Sequence, residues 1–265
     1  MVKRFLLLLI SIFIINSLYC QKSSEFNELK KFSNIGITFG GLYYRTPTIE
    51  DQYGYYSIHP VPALSYCFGI TYNLPIYNNW SFESGLLFVN EASLSAKGYI
   101  ERADLPVNWG DNFDFTINEP IGFTASIPLL VNYNLNIFKN NYLNFQLGMK
   151  TLIMFSSSNR FSIFFVNDDT NEDFPVFSLH AASPDIFFYG SFVYGIGYSI
   201  DCNHILLKFK LNHSINFQNT FEGNYQFLNL KQNEDSGGSY KLSGDYLSLT
   251  LTAHLKKIKY WKKKK

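Results

Sequence analysis

The chain has 265 residues, enough for one large domain. Its 22 basic and 21 acidic residues nearly cancel, so no general basic surface marks it for nucleic acid. Aromatic residues make up 18% and the mean hydropathy is −0.05. That argues against a bundle of membrane helices but not against a barrel, whose alternating faces cancel in any window average.

The first residues read as an export signal. Lys3 and Arg4 give a positive start, residues 5–15 an apolar run and residues 16–20 a polar exit. The apolar run falls short of the roughly twenty residues of a helical span. Cleavage after Cys20 is expected, with lipid attachment at Cys20 as a rival that bulky Tyr19 speaks against. Residues 1–20 are then a signal peptide, 21–33 a periplasmic lead, 34–256 the folded body and 257–265 a basic tail. Cys67 falls within a strand and Cys202 in a turn, and both are expected as free thiols.

Within the body, apolar and polar residues alternate with the period of a strand. The pattern predicts strands over residues 34–44, 62–74, 80–90, 122–135, 143–151, 185–200, 204–217 and 244–256. The clearest is 122–135, where Phe123, Ala125, Ile127, Leu129, Val131, Tyr133 and Leu135 alternate with mostly small or polar residues. Each run reaches about nine residues or more, enough for a tilted strand to cross a bilayer. Long polar loops over 45–60, 91–118, 156–184 and 218–243 alternate with brief turns near 75–79, 136–141 and 201–203. An even strand count with this alternation implies an all-β fold, an eight-stranded antiparallel up-and-down transmembrane β-barrel with both termini in the periplasm.

Volume decides which face points inward. About forty large apolar side chains cannot fit inside eight strands, so they face lipid. The opposite face carries glycine, serine, threonine and asparagine, which suit a narrow interior. Glu83, Lys150, Lys208 and Lys210 fall on that face, where a polar network of paired charges is expected. Glu83 and Lys208 lie at similar heights and are expected to meet. Pro128 offers no backbone donor, and a bulge is expected there.

The stretch Ile127-Pro128-Leu129-Leu130-Val131-Asn132-Tyr133 resembles a signature of the PorT-like outer-membrane β-barrel family. So, in order, do Tyr72-Asn73-Leu74-Pro75, Trp80 with Ser84-Gly85-Leu86-Leu87-Phe88, Gly195-Ile196-Gly197-Tyr198 and Leu211-Asn212-His213-Ser214. The resemblance covers nearly the whole mature chain. It implies an eight-stranded barrel in a Gram-negative outer membrane, in a family whose members mostly have no assigned activity. The family's namesake is linked to secretion and gliding. Such barrels often end on an aromatic residue, whereas here the last strand reaches Leu255 and runs on to four lysines. Either Tyr260 and Trp261 form an interfacial girdle, or the assembly signal is internal at Leu255.

Chemistry has little to stand on. His213 and Ser214 are faintly similar to the pair used by outer-membrane lipid A deacylases, but strand neighbours point to opposite faces and no acid accompanies them. The acidic loop with Asp168, Asp169, Glu172 and Asp173 lacks the glycine and spacing of a calcium loop. No CxxC, HExxH, GxSxG or P-loop occurs. No catalytic, cofactor-binding or metal-binding residue is therefore expected, no cofactor is implied, and the chain reads as a non-enzyme. A structural or interaction role through the long outer loops is expected, linked to secretion or envelope assembly. A lipid-modifying enzyme and a narrow pore are the alternatives. Expected partners are outer-membrane lipid, lipopolysaccharide and surface or envelope proteins, around a monomeric barrel.

Overall fold

The computed structural model describes residues 29–77, 79–106, 111–138, 141–154, 158–167, 172–183 and 188–257. The expected signal peptide, most of the lead, the tail beyond Lys257, and Asp168 and Asp169 lie outside them. The strands in chain order are β1 (Phe32–Tyr44), β2 (Thr48–Tyr53), β3 (His59–Pro60), β4 (Leu64–Tyr77), β5 (Trp80–Ile100), β6 (Phe113–Phe138) and β7 (Asn141–Ile153). They continue as β8 (Ser158–Asn167), β9 (Glu172–Ala182), β10 (Phe188–Asp201), β11 (Ile205–Asn216), β12 (Phe221–Phe227), β13 (Ser236–Leu242) and β14 (Tyr246–Lys256).

Strands β1, β4, β5, β6, β7, β10, β11 and β14 pair antiparallel in that order, and β14 closes on β1. The result is the expected eight-stranded, up-and-down transmembrane barrel. Its apolar residues point outward: Ile37 is 72% exposed and its neighbour Thr38 is 3% exposed. Closure leaves no strand edge to face lipid unpaired. Near the turn end Trp80 packs on Tyr133, with ring centroids 5.0 Å apart, and aromatic rings of this kind suit a membrane interface. Leu29 and Phe32 pack with Tyr142 and Leu206 beside the turn end.

Two expectations are corrected. First, the polar loops are not loops in the ordinary sense. β5 runs on to Ile100 and β6 begins at Phe113, so 91–118 is mostly strand. Segments of the other three long connections form a second, five-stranded sheet in the order β2-β13-β12-β9-β8. Its buried face meets the extended β5–β6 hairpin around Leu94, Ile100, Ile117, Phe177, Tyr225, Phe227 and Tyr240. The barrel thus carries a folded cap.

Second, Pro128 sits at no bulge. It pairs with Lys150 in unbroken register, while the β5–β6 ladder skips the pairs at Gly85 and Leu86 without shifting. The missing donor is absorbed as a gap on the β5 side. Bulges fall higher up, where β6 holds an extra residue at Ile121, before Gly122 (φ 109°), and β5 an extra one at Ser93. An extra residue swaps the two faces of a strand. Even-numbered Leu86 and Phe88 of β5 face outward below the bulge, and even-numbered Leu94, Ala96 and Ile100 are buried above it. On β6 the odd-numbered Leu129 and Val131 face lipid, while Phe115 and Ile117 enter the cap core. One apolar alternation therefore serves two environments.

Candidate functional site

Two places gather polar side chains: the lumen and the junction of the cap. Glu83, Lys150, Lys208 and Lys210 are all buried within the barrel. Glu83 forms its ion pair with Lys210, not with Lys208 as the strand heights suggested, because β11 brings Lys210 level with it across the lumen. Lys208 makes no hydrogen bond or ion pair among the described residues and lies in the field of Glu83 and Lys210. Lys150 stands apart, donating to the Tyr246 hydroxyl at 2.6 Å within electrostatic reach of Glu91. The four residues thus form two groups rather than one network.

Below them an amide cluster fills the turn end. Asn144 donates to Asn134 at 2.5 Å, Ser199 donates to Asn144 at 2.5 Å, and Gln146 donates to Asn132. Thr38 links to Thr71 and Thr252 at 3.2 and 2.8 Å. Small residues make room for the larger ones: a Cβ on Gly36 would lie 2.7 Å from the His254 ring. The space left at mid-lumen is about 50 Å³, lined by Thr38, Glu83, Lys150, Lys210 and Tyr246 among others. That holds a few waters at most.

The cap junction centres on Asp104, a residue the sequence reading passed over as loop. Its carboxylate accepts from Tyr56 at 2.5 Å, from the Gln232 and Asn233 backbone at 2.8 and 2.9 Å, and from the Asn233 amide at 2.7 Å. Burial pushes this carboxyl up, but the hydrogen bonds outweigh it and hold it below the usual aspartate range. Burial, and next the bond to Asp104, push the Tyr56 hydroxyl above its usual range. Tyr240 ties the second sheet to β5, donating to Ser93 O and accepting from Ser95 N, both at 3.0 Å. The alternation in Phe113-Asp114-Phe115-Thr116-Ile117 and Tyr225-Gln226-Phe227 is the signal that would have revealed these strands.

The other residues singled out in the sequence remain apart. His213 meets Tyr194 at 2.8 Å, whereas Ser214 is buried on the lumen side. Cys67 is buried, Cys202 exposed, and both thiols are free. Asp173 is exposed on β9. No group of three His, Cys, Asp or Glu side chains among the described residues is placed to hold a metal ion.

No family model matches the chain. No curated protein matches it either. Among solved structures, the outer membrane protease OmpT from Escherichia coli matches with a TM-score of 0.28 and 9% identity, over 84% of this chain and 94% of that one. The expectation that this chain is not an enzyme is withdrawn, since missing motifs do not exclude catalysis in a barrel. At 9% identity the likeness carries over no catalytic residue. The chain's own geometry gives the conclusion: a transmembrane β-barrel with a filled lumen and a folded cap of β-sheet.

Proposed function

We propose that this chain is an integral outer-membrane protein of the PorT-like kind its motifs resemble, exported by residues 1–20, whose barrel anchors an interaction module at the cell surface. The cap carries this reading. Polar connections on a mere membrane plug have no need of a second sheet, yet here they share a core with Phe177, Tyr225 and Phe227 fully buried. Rigid strands present surface residues in fixed positions, which favours specific contacts. The filled lumen supports anchoring over conduction. Lipid and lipopolysaccharide surround the barrel, which works as a monomer, and the cap meets proteins of secretion or envelope assembly.

Photoreactive residues placed at Tyr53 and Phe164 on the cap, and at Leu249 on the lipid belt, test this in intact cells. All three side chains are exposed. Protein adducts are expected at the cap positions and lipid adducts alone at Leu249. Cap positions that give no protein adduct overturn the proposal.

A further inference from the structure

The charges around the mid-lumen cavity do not cancel. Lys150 and Lys210 bring two ammonium groups to its wall and Glu83 the one carboxylate. Glu83 is committed to Lys210. Lys150 has no ion pair among the described residues; it donates to the neutral Tyr246 hydroxyl at 2.6 Å and stands over that ring, 4.2 Å from its centroid. Glu91 lies within electrostatic reach of Lys150, yet its Oε2 has no hydrogen-bond partner. Widening the circle does not restore the balance, because the described interior of the barrel buries Lys150, Lys208 and Lys210 against Glu83 and Glu91. Asp245, at the rim, is answered by Arg45 at 3.6 Å. One buried positive charge is left without a counter-charge, a costly state in a medium of low dielectric.

The same cavity gathers donors that have nothing to bond. The Ser214 hydroxyl lines it, is buried at 1% exposure and has no hydrogen-bond partner. Lys150 spends one of its N–H groups on Tyr246 and Lys210 one on Glu83, which leaves each ammonium with donors to spare. Leu130 and Val193 close other parts of the wall, so little solvent screens the charges. The free space is about 50 Å³, room for a few water-sized bodies and too little for an organic solute.

We infer that the mid-lumen cavity binds one small monovalent anion of the halide class, held by Lys150, Lys210 and Ser214. The ion supplies the missing negative charge and gives the Ser214 hydroxyl its acceptor. It ties β7, which carries Lys150, to β11, which carries Lys210 and Ser214. With the amide cluster below and the cap above, it is a resident of the barrel and not a solute in transit. The inference concerns the barrel alone and goes beyond the reading of the cap as an interaction module.

The test uses crystals of the full chain grown in detergent with dilute sodium bromide. An anomalous bromide peak is expected in the cavity, within bonding reach of the Lys150 ammonium. Lys150→Met should erase it. Ser214→Val keeps every charge but removes a donor and takes up space, so it should lower the occupancy several-fold, and it decides the matter if Lys150→Met does not fold. In solution, the urea midpoint of the unaltered chain should rise saturably as chloride replaces the bulkier gluconate at constant ionic strength. Ser214→Val should blunt that rise. Water alone in the cavity, or a peak that neither substitution changes, overturns the inference. So does a peak seen only in molar bromide, which is binding at crystal concentration only, and so do equal midpoints in the two salts.

Discussion

The spanning wall and the cap are built from one alternation turned two ways. On β1 Ile35, Ile37 and Phe39 face out and Thr38 faces in; on β12 Tyr225 and Phe227 are fully buried while Gln226 is exposed. The solvent outside each region explains the difference. Lipid accepts apolar side chains, so the interior below is left to small and polar groups. Water does not, so above the bilayer the same residues must find each other. The bulges at Ser93 and Ile121 let β5 and β6 obey both rules without changing their pattern.

The sharpest way to break this contrast is to remove each bulge together with the paired residue beside it. Deleting Ala92 with Ser93 and Pro120 with Ile121 keeps the β5–β6 register but should turn Leu94, Ile100, Phe115 and Ile117 outward and unfold the cap. The barrel should persist, read as heat-modifiable gel mobility beside rapid trypsin cleavage at Lys97 and Arg160. A protease-resistant cap in this variant would refute the account.

Next in size is the lumenal ion pair. Lys210→Met leaves Glu83 buried without its partner and should cost about 3–5 kcal/mol, seen in the urea midpoint of folding into vesicles. Lys208→Met removes a charge that has no ion pair and should be neutral or stabilising in the same assay. Equal losses from the two would contradict the pairing described.

A third experiment contrasts the outer faces. Leu251→Arg in the lipid belt should cost about 2–4 kcal/mol. Gln226→Arg on the cap should stay within about 0.5 kcal/mol. Urea midpoints of both variants measure the difference directly.

The smallest effect is local. Asp104→Asn should loosen the segment at 228–235 by about 1–3 kcal/mol, visible as faster amide exchange there and nowhere in the barrel. Because the folded carboxyl titrates below its unfolded value, its contribution is complete above about pH 3.9 and fades as pH falls through the lower folded value. Protection of 228–235 in the unaltered chain should therefore hold at mild acidity and fail only in strong acid, and in the variant it should not follow this curve.

Much of the spanning wall was legible because its alternation is long and its turns short. Residues 122–135 carry seven apolar residues in phase, and Leu129 and Val131 among them are exposed on the outer face. The cap was hidden for a physical reason. Its strands are short, as β12 and β13 are at 7 residues each, and glycines and serines dilute the pattern in Ser236-Gly237-Gly238-Ser239. The phase swap also disguised 91–100, since Ser93 and Leu94 are both buried where strict alternation would send one of them outward. Of the lumen, burial of the four charged residues followed from parity. Partner choice did not, because strand height in a tilted barrel depends on the stagger of all eight strands.

The bond between Thr38 and Thr252 joins residues 214 positions apart and closes the ring. A ribosome must therefore translate past Thr252 before the barrel's first strand can meet its last. Until then two ribbons of unmatched amide groups stay available to bystanders, so a nascent or truncated chain requires an escort, and ring closure itself is the event that frees the escort to leave.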